Sequence, residues 1–168
     1  MKKVIFALPL LYSINAFSQQ TNETAKEEIQ KVFHTYMNSV INKDSATFCS
    51  LFALDSVSFY GIADTATANV AVKQNPRFKI ILKDSYRNFM HWDVSTKMKL
   101  EEKFNDVQIW NDNAIATLSF HYSFWVDGKE SNWGIETWQL MFDGKAWKIM
   151  SALFSFDDER IKPDTASK

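Results

Sequence analysis

The chain has 168 residues, 46% of them apolar and 15% aromatic, with 4 Gly, 3 Pro and 1 Cys. That is the length of one domain able to bury a sizeable core, and six Trp with fourteen Phe exclude a disordered linker. Nineteen basic against twenty acidic residues leave a net charge of -1 and no global field to attract nucleic acid, while a single cysteine excludes a disulfide framework and a Cys-rich zinc site.

Met1-Lys2-Lys3 runs into an apolar stretch from Val4 to Leu11 and leaves it through smaller, more polar residues ending Ala16-Phe17-Ser18. This is the order of a secretory signal cleaved before Gln19, so residues 1–18 read as a leader and the mature protein as periplasmic or secreted. The alternative is a buried N-terminal strand or helix. The apolar run is shorter than the ~20 residues that cross a bilayer, and no integral membrane segment is expected after cleavage. Removing the leader takes away Lys2 and Lys3, leaving 17 basic and 20 acidic residues and a charge of -3. Cys49 reads as a small buried apolar residue rather than a reactive thiol.

A first helix is expected from Asn22-Glu23-Thr24, where Ile29, Val32, Phe33, Tyr36, Met37 and Val40 form one apolar stripe. Asp44 or Ser45 caps a short second helix through Phe48, Leu51 and Phe52. Ser56–Tyr60 alternates and ends at Gly61, which predicts a strand; residues 62–74 show no clear period and read as a loop or lid. Pro76 suits the first turn of a helix, with Phe78, Ile81, Leu82, Tyr86 and Phe89 as its stripe to about Trp92.

The last third changes period. Residues 97–110, 114–126, 130–142 and 146–156 are four strands joined by Asn111-Asp112-Asn113, Asp127-Gly128-Lys129 and Asp143-Gly144-Lys145. Met98, Leu100 and Phe104 are even whereas Val107 and Ile109 are odd, which predicts a β-bulge near Asn105-Asp106. Hairpin-length connections exclude a parallel crossover sheet for these four strands. The expected fold is α+β, a curved antiparallel meander wrapped around N-terminal helices. One domain is expected over residues 19–156, with a charged tail over 157–168.

In element order, the chain resembles the nuclear transport factor 2-like superfamily, and within it the SnoaL-like and ketosteroid-isomerase-like small domains. The residues that carry the resemblance are Phe52-Ala53-Leu54-Asp55-Ser56-Val57 before the first strand, then Gly134-Ile135-Glu136-Thr137-Trp138, Asp143-Gly144-Lys145 and Trp147-Lys148-Ile149. It implies a cone-shaped, cystatin-like roll. The superfamily hosts isomerases, cyclases, dehydratases, association domains and binders, so the fold leaves function open. Where many relatives carry histidines after the last Trp-x-Ile, this chain has Ser151 and Leu153. The isomerases' general-base Asp has no counterpart in Ser58-Phe59-Tyr60. Tyr36 resembles their oxyanion-hole Tyr, but its carboxylic partner is missing, so steroid isomerisation is not supported.

A two-residue turn at Asp143-Gly144 would set Leu140 against Trp147, Trp138 against Ile149 and Glu136 against Ser151 on the concave face. A carboxylate on that apolar wall is poised for acid or base work; otherwise Glu136 sits at the mouth or pairs with a base. A two-residue turn at Asp127-Gly128 would bring Ser119, His121 and Ser123 to the same face, and a three-residue loop would bring Leu118, Phe120 and Tyr122. Burial favours the second set and places His121 on the surface. His34, His91 and His121 lack metal-ligand spacing, and no cofactor motif is present. Lys97–Lys103 reads as a solvated mixed-charge face.

The function expected is therefore an exported binder of a small, mostly apolar molecule. Phe33, Tyr36, Trp138 and Trp147 would supply surface, with Glu136 and Ser151 as polar handles. Two alternatives remain open. One is a cofactor-independent isomerase, cyclase or dehydratase using Glu136 as acid or base. The other is an interaction module forming a homodimer through the outer sheet face, where Phe154 and Phe156 are expected.

Overall fold

The structure, a computed structural model, describes residues 13–161, with side chains from residue 23 onward. The cationic start and apolar run of the expected leader lie outside the described residues, as do residues 162–168 of the expected tail. Helix α1 spans Ser13–Asn42. It starts upstream of the expected cap and passes through the expected cleavage point, since residues 13–21 hold no Gly or Pro to stop it. Its buried stripe is Ala25, Ile29, Val32, Phe33, Tyr36 and Val40. The chain turns at Lys43 with φ 56°, and the Asp44 carboxylate accepts from Thr47 N at 3.0 Å to open helix α2, Ser45–Ser50. Cys49 packs partly buried against the core.

The middle of the chain departs most from expectation. Strand β1 is Ser58–Ala63 and runs through Gly61 instead of ending there. The expected loop over 62–74 holds helix α3, Thr65–Gln74, capped by Asp64, whose carboxylate accepts from Thr67 N at 2.7 Å. Only Thr67 and Ala71 of α3 are buried, one turn apart, too narrow a stripe to stand out as a period. Pro76 does not open a helix. It follows the end of α3, and the expected single helix is divided into strand β2, Ile81–Ser85, and helix α4, Tyr86–Ser95. Ser85 caps α4 by accepting from Asn88 N at 3.1 Å, which fixes the break. The residues before it pair antiparallel with the free edge of β1, Gly61 opposite Leu82 and Ile62 opposite Ile81.

The four expected strands are β3 Leu100–Asn111, β4 Ile115–Val126, β5 Lys129–Phe142 and β6 Trp147–Asp158. They join β1 and β2 in one curled, unclosed six-stranded sheet of order β2-β1-β6-β5-β4-β3. All neighbours are antiparallel except β1 and β6, which run parallel. β6 continues past residue 156, so Asp157 and Asp158 belong to the sheet and not to a tail.

Three bulges decide which side chains face inward. The first, between Asn105 and Gln108 with Asp106 at φ 54°, falls where the parity change predicts it. The second lies at the β4–β5 hairpin. Asp127 and Gly128 form a two-residue turn with φ 50° and 77°, and Val126 pairs with Lys129. The register then slips, Trp125 opposite Glu130 but Phe124 opposite Asn132, so Ser131 is the extra residue. Leu118, Phe120 and Tyr122 therefore face inward and His121 is exposed, the favoured set reached by a bulge and not by a longer loop.

The third bulge corrects the last hairpin. Its loop is residues 143–146, closed by the Asp143 carboxylate on the amides of Lys145 and Ala146, both 2.8 Å. Phe142 pairs with Trp147, and the register slips at Met150. Leu140 therefore faces Ile149, Trp138 faces Ala152, and Glu136 faces Phe154, not Ser151. Phe154 and Phe156 are consequently on the concave side, with Phe156 buried in the core. The outer face instead exposes Tyr60, Ile135 and Leu153.

Candidate functional site: a cavity with two buried carboxylates

Between the concave sheet, α1 and α4 lies a cavity of about 630 Å³. Its wall is mostly apolar, with Phe59 from β1, Phe89 and Trp92 from α4, Phe124 from β4, and Phe154 and Phe156 from β6 among its aromatic residues. The ring of Phe124 lies 6.2 Å from that of Phe89 and 6.3 Å from that of Trp92. Trp92 is 40% exposed and carries the wall out to solvent. The bulges make this wall: without the slip at Met150, Phe154 and Phe156 would point away from it.

Of the six pocket residues expected from sequence, Tyr36 and Glu136 line the cavity. Phe33 and Trp138 lie in a close-packed aromatic cluster with Phe104 and Phe120. Phe33 sits 4.3 Å from Phe104 and 4.9 Å from Phe120, and Trp138 sits 5.1 Å from Phe120 and 4.8 Å from Tyr36. They support the site as core. Trp147 packs on Phe142 at 5.7 Å, outside the lining. Ser151 pairs with Gln139, whose side chain accepts from Thr117 Oγ1 and is exposed, so Ser151 belongs to the outer side.

Sequence reasoning missed Glu102. It projects from β3 into the cavity and is 7% exposed, beside Glu136 from β5 at 4%. The signal was present: Glu102 has the same parity as Leu100 and Phe104, ahead of the bulge, so it shares their inward face and not that of Glu101. Its pKa is pushed up to about 7 by burial, opposed by a hydrogen bond with Tyr36. The Glu136 carboxyl is raised by burial and then by the charge of Glu102, opposed by Trp138 Nε1–H, which donates to Oε1 at 2.6 Å.

The Tyr36 hydroxyl is pushed well above its ordinary range by burial and by both glutamates, so it stays a proton donor. Tyr122 behaves likewise, and its hydroxyl lies 3.1 Å from Asn132 Oδ1 and 3.2 Å from the Ser155 carbonyl. Across the cavity Arg160 forks onto Asp158, donating from Nε at 2.8 Å and again from Nη2, which holds that carboxylate below its usual range. The arrangement can exchange a proton near neutral pH at Glu102, holds the neighbouring Glu136 carboxyl toward its protonated form, and can donate a proton from Tyr36. Among the described residues no three His, Cys, Asp or Glu are placed to hold a metal ion, and no helix is long and apolar enough to cross a membrane.

No protein-family model matches the sequence, and no curated protein matches it. Solved structures do match in shape. An NTF2-like protein with a cystatin-like fold from Novosphingobium aromaticivorans superposes with a TM-score of 0.64 at 10% identity, covering 90% of this chain and 94% of that one. An NTF2-like protein from Cytophaga hutchinsonii gives 0.56 at 10% identity over 77% and 96%. A Novosphingobium aromaticivorans protein assigned as the beta subunit of an aromatic-ring-hydroxylating dioxygenase gives 0.59 at 14% identity over 84% and 94%. The fold is the NTF2-like, cystatin-like fold that the sequence resemblance implies. At these identities the likeness is one of architecture, and function is argued from the cavity.

Proposed function

We propose that this protein is an exported binding domain for a small, mostly apolar molecule held in the cavity between α1, α4 and the sheet. The observation that carries the reading is the cavity itself: about 630 Å³ walled mainly by apolar and aromatic side chains in a domain that packs its other rings closely. Tyr36, Glu102 and Glu136 supply the polar end. Export rests on the Lys2-Lys3 start, the apolar run and the small-residue exit before Gln19. The test is a titration of the full chain with the neutral fluorophore N-phenyl-1-naphthylamine, followed through its emission and by calorimetry. Saturable one-to-one binding that Phe154→Trp weakens is expected. Absence of saturable binding both for this dye and for the phenyl-bodied probes named below overturns the reading.

A second reading is favoured by the grouping of Tyr36, Glu102 and Glu136: a cofactor-independent isomerase, cyclase or dehydratase that moves a proton through the carboxyl pair. It requires that Glu136→Gln abolish turnover with little change in melting temperature. As for assembly, we propose a homodimer through the outer sheet face, now resting on Tyr60, Leu153 and Ile135 across β1, β6 and β5. Sedimentation at micromolar concentration tests it, and a monomer overturns it.

A further inference from the structure

Two carboxylates, Glu102 and Glu136, share one wall of the cavity, both more than nine-tenths buried. Neither takes part in an ion pair among the described residues. The groups that face them are themselves acidic or neutral. Tyr36 comes from α1 and Tyr122 from β4, Asp158 lies at the end of β6, and Asp93 of α4 adds its charge at Tyr36. Arg160 is the one positive side chain on the described lining, and it is engaged with Asp158. Asp158 is paired with Arg160 and Asp93 with Lys43, which leaves the two glutamates without a counter-charge of their own in a wall rich in aromatic rings, whose faces attract cations. An apolar neutral guest leaves the pair to rely on its proton for neutrality, and an anion would be repelled by the ionised form.

We propose that the ligand of this cavity is an organic cation: a small ammonium with an apolar or aromatic body. Its charged head lies between Glu102 and Glu136, and its body lies against Phe89, Trp92 and Phe124. This rests on the ligand-binding reading above and names the chemical class that the site takes. The empty site meets its charge problem by keeping a proton on the carboxyl pair, which burial favours. A cation replaces that proton, which passes to the buffer, so binding and proton release are one event.

The experiment compares three probes on the full chain: phenyltrimethylammonium, its neutral isostere tert-butylbenzene, and the anion 4-tert-butylbenzoate, which adds a para carboxylate to the same body. The quaternary cation has no proton of its own, so every proton counted comes from the protein. Calorimetry in two buffers of different ionisation heat at pH 6.5 is expected to show release of about one proton per cation bound. Affinity for the cation should rise between pH 5.5 and 8 and exceed that for tert-butylbenzene by about tenfold or more at pH 7.5.

In Glu102→Gln/Glu136→Gln the preference should fall to about unity and the proton release should vanish, with the melting temperature reporting an intact fold. Equal or tighter binding of tert-butylbenzene or of the benzoate overturns the cation and leaves the binding reading standing. Failure of all three probes to bind overturns the cation, and failure of N-phenyl-1-naphthylamine as well overturns both. Because the pH dependence and proton count are read on the wild type, the proposal stands or falls even where the double variant does not fold.

Discussion

Trp138 Nε1 donates to Glu136 Oε1 at 2.6 Å, so a tryptophan at the centre of the core aims a buried carboxylate at the cavity. The two residues are i and i+2 on β5 and share its inner face. The ring gives the core its bulk and the N–H gives the carboxylate the hydrogen bond that favours its charged form. Trp138→Phe keeps an aromatic ring beside Tyr36 and Phe33 but deletes the donor. We expect a loss of about 2 kcal/mol in urea unfolding, from lost volume and the unmade bond. The loss should be larger at pH 8 than at pH 5, because the donor matters most to the ionised acid. Equal losses would assign Trp138 to packing alone.

The carboxyl pair sets a pH dependence of stability whose sign follows from its raised pKa values. Unfolded, both glutamates titrate near 4.5; folded, Glu102 titrates at about 7 and Glu136 also higher than normal. Between those values the folded state holds more protons than the unfolded one, so stability is full below pH 4.5 and falls as pH rises through about 7. For Glu102 alone the span from 4.5 to about 7 corresponds to a loss of order 3 kcal/mol. Urea unfolding at pH 5, 7 and 8 should show this decline, and Glu102→Gln/Glu136→Gln should flatten it and be the more stable protein at pH 8. A wild type that is equally stable at pH 5 and 8 would contradict the burial of these groups. Asp93, raised in the same direction, is unchanged in the double variant and so does not mimic its effect.

The long periodic elements were legible in the sequence for simple reasons. The α1 stripe and the four C-terminal strands carry apolar residues at the right periods, and turns such as Asp127-Gly128 carry their own chemistry. What was not legible is where a bulge resets the parity of a strand. The Asn105-Asp106 bulge shows itself because apolar residues lie on both sides of it. The extra residues at Ser131 and Met150 are set by pairing with a neighbouring strand, and no local pattern marks them. The consequence for the site is direct: an unbroken register puts Ser151 in the cavity and Phe154 and Phe156 on the outer face, and the slip at Met150 exchanges them. Helix α3 was obscured because only one narrow edge is buried. Strand β2 was obscured because an edge strand needs its partner β1 to exist at all.

Two glycines separate what holds the sheet from what shapes the cavity. A Cβ on Gly134 would lie 2.0 Å from the Ser155 carbonyl oxygen, a backbone atom of the adjoining strand. Gly134→Ala must therefore part β5 from β6, and a loss of about 3 kcal/mol or more is expected, close to the limit of what such a domain tolerates. A Cβ on Gly61 would meet the Phe154 ring at 2.6 Å. That ring lines the cavity and has room to swing into it. Gly61→Ala should cost about 1 kcal/mol and weaken N-phenyl-1-naphthylamine binding. If it binds the probe as the wild type does while losing several kcal/mol, Phe154 is packed rigidly and the cavity is not adjustable at that wall.

Away from the cavity, Lys43 performs two tasks at the end of α4. Its ammonium donates to the carbonyls of Asp93 at 2.7 Å and Thr96 at 2.6 Å, and stands 3.7 Å from Asp93 Oδ1. Asp93 is fully buried, and neither carboxylate oxygen has a hydrogen-bond partner. Burial raises its pKa and Lys43 opposes the rise. Lys43→Met keeps the stem and the left-handed backbone but removes the cation, leaving an uncompensated buried charge. A loss of about 3 kcal/mol at pH 7 is expected. With the folded pKa raised further, the loss should grow as pH climbs from the unfolded value of 3.8 through the folded one, and be smaller at pH 5. Adding Asp93→Asn to Lys43→Met should recover part of it at pH 7, because the amide carries no charge to compensate. If the loss is the same at both pH values and Asp93→Asn recovers nothing, Lys43 acts through the two carbonyls and the carboxylate contributes no charge coupling.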